Sequence, residues 1–245
     1  MESVNLIDPE PFAPPVFSRR RETAKGLRSS LAAGLGMFPL GIAFGLLVVQ
    51  AGLPWWLAPA LSTAAFAGSL ELLLVGMIVT ATPLATIALT TLLVNFRHVF
   101  YSFSFPLHAV KHPFAKAYSM YAMIDEAYAV TAASNDRWNS WRLISMQMAF
   151  QSYWVLGGLA GVGISSGLPG RVEGLEFALC ALFVTLTLDA ARSRKQLPSL
   201  LLGAVSFSTA VVLAPDGALF VGLLLFLALL VVRFALSRRP GASNA

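Results

Sequence analysis

Charge is what this chain has least of. Of its 245 residues 12% are charged, against about 25% in ordinary soluble domains. Between Ser29 and Phe96 the single charged residue is Glu71. A soluble fold must turn a polar face to water along so long a stretch, so this shortage excludes a water-soluble domain. Cysteine is nearly absent too. Cys180 stands alone in the apolar run Phe177–Leu188, which excludes an intrachain disulfide or a thiolate metal site and reads as a small buried hydrophobe. H-E-x-x-H, G-x-S-x-G and a phosphate-binding loop are all missing, and with them the usual machinery of a membrane protease, a lipase or an ATP-driven pump, so no enzyme is expected. His108 and His112 are four apart, but Pro113 interrupts the turn and no acidic third ligand is nearby; no metal or other cofactor is expected. Seventeen basic residues against twelve acidic give a formal charge of +5. They sit in short groups between apolar runs, unlike the basic stripe of a nucleic-acid binder.

What is present is hydrocarbon. Hydrophobic residues make up 57% of the chain, and apolar stretches cover roughly 32–52, 57–80, 84–104, 118–134, 143–165, 174–190, 197–214 and 217–236. Lipid offers no partner to an exposed backbone N–H, so each stretch must be helical. The expectation is an all-α integral membrane protein, a polytopic bundle of about eight spans with seven as the alternative. Proline and glycine mark the joints, as at Gly52-Leu-Pro54, Thr82-Pro83, His112-Pro113 and Pro215-Asp216-Gly217. A disordered basic cytoplasmic tail over 1–30, a transmembrane domain over 31–236 and a short cytoplasmic tail over 237–245 complete the division. The tail before the first span has scattered prolines and a basic cluster but no continuous apolar core of a cleavable signal.

Arginine and lysine favour cytoplasmic loops. With eight spans and both termini inside, the N-terminal cluster, Arg137 with Arg142, the run Arg192-Ser-Arg194-Lys195 and Arg233, Arg238 and Arg239 all lie inside. Lys111 and Lys116 dissent. Broken or re-entrant helices within 57–104, for which Gly68-Ser69 and Glu71 are the marks, ease the conflict. The pairs Gly41/Gly45, Gly157/Gly161 and Gly163/Gly167 suit close helix packing.

A charge at bilayer depth costs about 2.5–3.5 kcal/mol on insertion scales, so intramembrane ionisable residues are candidates for function. Glu71, in Ala67-Gly68-Ser69-Leu70-Glu71, reads either as a proton or substrate-amine site or as a carboxyl hydrogen-bonded to a neighbouring helix. Asn95-Phe96-Arg97-His98, with Tyr101 a turn on, reads as an inward polar cluster in which Arg97 clamps a carboxylate, or as interfacial anchors. Asp125 and Glu126 are adjacent and cannot both face lipid. One is expected to face the bundle and pair with Arg97 while the other reaches water or a helix end; the alternative is an interfacial run. Gln147 and Gln151, one turn apart, suit interhelical hydrogen bonds. Asp189 beside Arg192 reads as a solvated pair.

Several segments together resemble the AzlC family, the large subunits of bacterial two-component branched-chain amino-acid exporters. They are Gly26-Leu-Arg28, Phe38-Pro39-Leu-Gly41-Ile-Ala-Phe44-Gly45-Leu, Ala67-Gly68-Ser69, Leu92-Leu-Val-Asn95-Phe-Arg97-His98-Val-Phe-Tyr101, Asp125-Glu126 and Trp154-Val-Leu-Gly157, in order from about Gly26 to Leu188. The resemblance implies export of leucine, isoleucine, valine or similar amino acids across the bacterial inner membrane. It also implies a small AzlD-type membrane subunit as partner. Glu71 stands where the resemblance leads one to expect glutamine in Ala-Gly-x-x-Gln, which alters charge within the bundle. A zwitterionic substrate needs a site for its carboxylate, for which Arg97 or a broken-helix N-terminus is the candidate, one for its ammonium, for which Glu71 or Asp125 is the candidate, and an apolar pocket of surrounding Leu, Phe and Met for its side chain. Asn95, His98, Tyr101 and Glu126 complete the candidate substrate-binding residues. Without a nucleotide site the energy must come from an ion gradient. The rival function is a non-transporting membrane scaffold that stabilises a partner subunit.

Overall fold

The computed structural model describes residues 18–134, 136–168, 170, 184 and 197–237, and all regular structure among them is helical. Two long helices carry the fold, α1 (Arg19–Gln50) and α8 (Ser140–Gly167). Between them lie α2 (Leu57–Ala64), α3 (Gly68–Val79), α4 (Leu84–Asn95), α5 (Arg97–Tyr101), α6 (Pro113–Tyr121) and α7 (Asp125–Ala133). Two further helices, α9 (Leu197–Leu213) and α10 (Ala218–Ser237), form an antiparallel hairpin in which Phe207 packs on Gly222 and Phe226 on Gly203. Arg233 in α10 donates to the Ser199 hydroxyl in α9 at 2.7 Å.

Helices α1 and α8 run parallel along a seam of glycine. Gly41 lies against Gly157, and a methyl group on Gly45 or Gly161 would overlap the carbonyl of Gly158 or Ile42. Only a residue without Cβ lets two backbones approach so closely, which is the use of small residues four apart. The third pair departs from expectation, since among the described residues nothing lies within 4 Å of a methyl group placed on Gly163 or Gly167. Polar groups hold both ends of the seam. At one end Asn139 donates to Glu22, and Arg142 reaches Asp136 at 2.9 Å and stacks over the Trp138 ring. At the other, Gln50 meets Ser165 at 3.5 Å. Two helices crossing a membrane in one direction require an odd number of crossings between them. The runs 57–80, 84–104 and 118–134 supply three if each crosses once. The parallel seam also brings the basic N-terminal end of α1 beside Arg142, on one side of the fold, in keeping with the charge pattern.

Other expectations need correction. Helix α1 begins at Arg19, so residues 19–30 are not part of a disordered tail: Gly26, Ser30 and Gly34 are buried against α8, and that packing supports the first turns. Residues 1–17 and 238–245 lie outside the described residues, as do the run 174–190 with Cys180, and Asp189 with Arg192. The expected spans 32–52 and 143–165 are continuous helices, whereas 57–80 divides into α2 and α3, and 118–134 divides into α6 and α7. The first division falls within the stretch expected to be broken. The second does not, and Asp125 and Glu126 open a new helix instead of lying within one. By length and apolar composition alone, Arg19–Gln50 and the nearly continuous Leu84–Tyr101 suffice to cross a membrane, while α3, α9 and most of α10 are apolar but shorter. Large apolar side chains such as Leu84, Phe103, Phe114 and Val212 are more than three-quarters exposed, an arrangement that hydrocarbon tolerates and water does not.

Candidate functional site

The chemistry of the bundle gathers at its two helix breaks. At the first, Ala65-Phe66-Ala67 separates α2 from α3, and Phe66 is held at φ +42°, a conformation that costs of order 1–3 kcal/mol in a residue with a side chain. Breaking a helix exposes backbone N–H groups that no intrahelical carbonyl reaches. Glu71, one turn into α3 and fully buried, turns back to accept the Ala67 N–H at 3.0 Å through Oε1. Its Oε2 accepts the Ser62 hydroxyl of α2 at 2.8 Å and the Trp154 indole N–H of α8 at 2.9 Å. Two of these three partners can only donate, so an acceptor-only carboxylate suits the position. Glu71 therefore ties α2, α3 and α8 together and is spent in doing so.

At the second break, Ala122-Met123-Ile124 separates α6 from α7, and Ile124 is extended at φ −79°, ψ 169°. Here the freed groups are carbonyls at the end of α6. Gln147 of α8, also fully buried, donates its amide to the carbonyls of Ser119 and Ala122, each at 2.9 Å. Gln151, a turn along α8, accepts from Tyr118 at 2.9 Å and donates to Tyr121 at 3.0 Å, and Tyr121 in turn donates to the Thr63 carbonyl of α2. One face of α8 thus anchors both breaks, through Gln147, Gln151 and Trp154.

The acids that open α7 do something else. Asp125 accepts Arg97 Nη1 of α5 at 2.8 Å through one oxygen and the Tyr101 hydroxyl at 2.9 Å through the other. Tyr101 stacks on Tyr128 with ring centroids 4.2 Å apart, and His98 meets Tyr101 edge-on while its Nδ1 lies 2.9 Å from the Asn95 carbonyl oxygen. Arg97 and Asp125 are each more than a third exposed at their side chains, so solvent screens their attraction and the pair can be parted at modest cost.

That exposure opens onto a cavity of about 490 Å³ between the two breaks. Its polar wall is Arg97, His98, Asp125 and Glu126. Its apolar wall includes Met37, Leu40, Phe66, Leu72, Ile124 and Trp154, and Gly68 and Ser69 bring the first N–H groups of α3 to it. A pocket with few polar groups at one side and an apolar remainder is the usual form of a small-molecule site. Among the described residues no three His, Cys, Asp or Glu side chains come together as a metal site.

Of the residues singled out from sequence, Arg97, His98, Asp125 and Glu126 line the cavity, and Arg97 pairs with Asp125 as expected. Tyr101 stands behind Asp125, and Asn95 contributes its carbonyl to His98. Of the two readings of Glu71, the structure shows the carboxyl hydrogen-bonded to neighbouring helices, where it caps the break; it is not among the residues that line the cavity. Sequence reasoning missed Ser62 and Tyr121, named no residue of the apolar wall it expected from Leu, Phe and Met, and gave Trp154 no role. Trp154 lies seven residues after Gln147, on one helical face, and a tryptophan in an apolar helix needs a partner for its N–H, which was the available signal.

Comparison with known proteins identifies a family. The family model described as AzlC protein matches residues 32–168, more than half of the chain and the portion from α1 to the end of α8. The chain is 28% identical over 171 residues to a branched-chain amino acid transport protein, AzlC, of Bacillus subtilis (strain 168), covering 69% of this chain and 67% of the relative. It is 28% identical over 182 residues to the inner membrane protein YgaZ of Escherichia coli (strain K12), covering 70% and 74%. It is 26% identical over 158 residues to a membrane protein of Helicobacter pylori (strain ATCC 700392 / 26695), covering 63% and 69%. No solved structure matches the chain.

Proposed function

The chain belongs to the AzlC family, and on that premise we propose that it is the large subunit of a secondary transporter that exports branched-chain or related small neutral amino acids. The observation that carries this reading is the cavity between the two helix breaks, polar at one side and apolar elsewhere. It meets the three demands of such a substrate. The amino end of α3 at Gly68 and Ser69, with Arg97, suits a carboxylate. The acids at the start of α7 suit an ammonium. Met37, Leu40 and Leu72 suit a branched apolar side chain. Sites formed where discontinuous helices meet at bilayer depth are the common solution among secondary transporters, and the absence of a nucleotide-binding motif leaves an ion gradient as the source of energy. The proposal includes about eight spans, an inner-membrane location with the N-terminus in the cytoplasm, and a small AzlD-type membrane partner.

The test is uptake and efflux of labelled leucine, isoleucine and valine in membrane vesicles carrying this chain, with and without the small partner. Gradient-dependent transport is expected only with both. Full transport by the purified chain alone refutes the need for a partner, and no transport of these amino acids in any combination refutes the substrate class. A chain that merely scaffolds its partner tolerates neutral substitution at Arg97 and Asp125, because neither is buried deeply enough to hold the fold. A transporter loses its activity.

A further inference from the structure

We propose that Glu126 is the coupling group of this site, a carboxyl that holds a proton when the cavity is empty and gives it up to water when the ammonium of the amino acid arrives. The inference rests on the cavity being the amino-acid site, as proposed above.

The argument runs by what each acid near the cavity already holds. Glu71 is buried under three donors and faces away. Asp125 has one oxygen on Arg97 and the other on Tyr101. Glu22 and Asp136 sit at the end of the α1–α8 seam, engaged by Lys25 and Asn139 and by Arg142. Glu126 lines the cavity, and among the described residues its carboxylate receives no side-chain donor, only its own backbone N–H. A carboxylate committed to two or three donors has no reason to exchange; one that faces a cavity with a single weak donor does. The charge balance also favours Glu126. Arg97 compensates Asp125, so a second ionised acid beside them adds an unbalanced negative charge, which either a proton or an ammonium removes. The ammonium takes the place of the proton's charge beside Glu126, the substrate's own carboxylate lies at Arg97 and the amino end of α3, and the released proton goes to water, so the site ends with one positive charge fewer. Transport then moves one proton against one zwitterion.

The groups facing Glu126 are Arg97 and His98 from α5 and its neighbour Asp125 on α7, with Tyr101 and Tyr128 stacked behind the ion pair. His98 also lies at the cavity wall, and its substitution is the control.

The experiment is labelled-leucine binding to de-energised membranes carrying the full chain with its small partner co-produced, measured across pH, with proton release on binding read in weakly buffered suspension. In the wild type, affinity is expected to weaken by about tenfold per pH unit on the acid side of the carboxyl's titration, with up to one proton released per leucine bound. Glu126→Gln is expected to bind more weakly, with a flat profile and no release. Glu126→Asp should restore both, and His98→Gln, which alters the cavity wall and shifts the affinity, should keep the pH slope and the proton release. An unaltered slope in Glu126→Gln overturns the inference, as do a flat profile in His98→Gln or a wild type that binds leucine without releasing a proton. If the glutamine variant binds too weakly to titrate, the aspartate variant decides, and loss of its slope and release overturns the inference. A wild type that binds no leucine, isoleucine or valine at any pH overturns the proposed substrate class itself. Normal wild-type binding with an unaltered Glu126→Gln profile overturns the role of Glu126 alone.

Discussion

The two helix breaks use one device to opposite ends. Both interrupt an apolar run, and both are tied to α8 by a buried polar side chain, Trp154 through Glu71 at the first and Gln147 at the second. At the first break the acid is consumed: Glu71 has three donors and no exposure. At the second the acids remain available, Asp125 in a half-exposed pair and Glu126 nearly free. An ionisable residue at membrane depth is therefore a starting point for inquiry, and its partners decide its role. Where buried donors hold both oxygens the residue is a fastener. Where the cavity supplies the remaining partner, the residue is able to work.

The largest expected effect comes from removing the fastener. Glu71→Leu leaves the Ala67 N–H and the Trp154 N–H without acceptors, while the Ser62 hydroxyl can turn to a carbonyl of its own helix. Orphaned buried donors cost about 1–3 kcal/mol each, so a loss of about 2–6 kcal/mol of stability is expected, with little folded protein recovered. Thermal unfolding in detergent measures it. A leucine variant as stable as the wild type would break the comparison, since Glu71 would then be free for a task other than holding the break.

Glu71→Gln sharpens the same point. The amide offers one accepting oxygen where the carboxylate offers two, so either Ala67 or Trp154 faces an N–H group instead of an acceptor. The expected cost is about 1–3 kcal/mol. Because the residue faces away from the cavity, the pH profile of transport in the surviving protein should superimpose on that of the wild type. A changed profile with unchanged stability would return Glu71 to the list of coupling groups.

Much of this arrangement was legible in the sequence. The apolar runs mark α1 and α8, Gly68-Ser69 marks the first break, and a pairing of Arg97 with one of the adjacent acids Asp125 and Glu126 was expected, of which the structure selects Asp125. The second break was not legible, because Ala122-Met123-Ile124 contains neither glycine nor proline, and the signal lies in Gln147, distant in sequence, which satisfies the freed carbonyls. The sequence left two readings of Glu71 open, and only the donor on another helix, Trp154, decides between them. Spacing alone also failed to separate Gly157/Gly161, which meet α1, from Gly163/Gly167, which meet nothing among the described residues. Periodicity reports that a face exists, and tertiary packing decides what lies against it.

At the second break the effects should appear in function with stability preserved. Arg97→Lys keeps a positive charge but loses the planar fork that faces Asp125 and the cavity together. Leucine affinity in membranes should fall by about tenfold, which corresponds to ~1.4 kcal/mol, while thermal unfolding stays within the wild-type range. Unchanged affinity would reduce Arg97 to an interfacial anchor and leave the cavity without its carboxylate clamp.

The smallest expected effect is Tyr101→Phe. The ring and its stacking on Tyr128 at 4.2 Å remain, and only the hydroxyl that donates to Asp125 is lost. Asp125 keeps Arg97 and, being more than a third exposed, can recruit water for the vacated oxygen, so stability should change by no more than about 1 kcal/mol. The functional consequence is more informative than the energetic one. With one donor fewer, Asp125 becomes a better competitor with Glu126 for the proton and for the ammonium, because a carboxylate oxygen now faces the cavity uncommitted. The pH profile of leucine binding should then broaden as two acids share the exchange, and adding Glu126→Gln to Tyr101→Phe should leave a residual slope that Glu126→Gln alone does not have. If the double variant is as flat as the single one, Asp125 is held by Arg97 alone, and the hydroxyl of Tyr101 plays no part in keeping the two acids distinct.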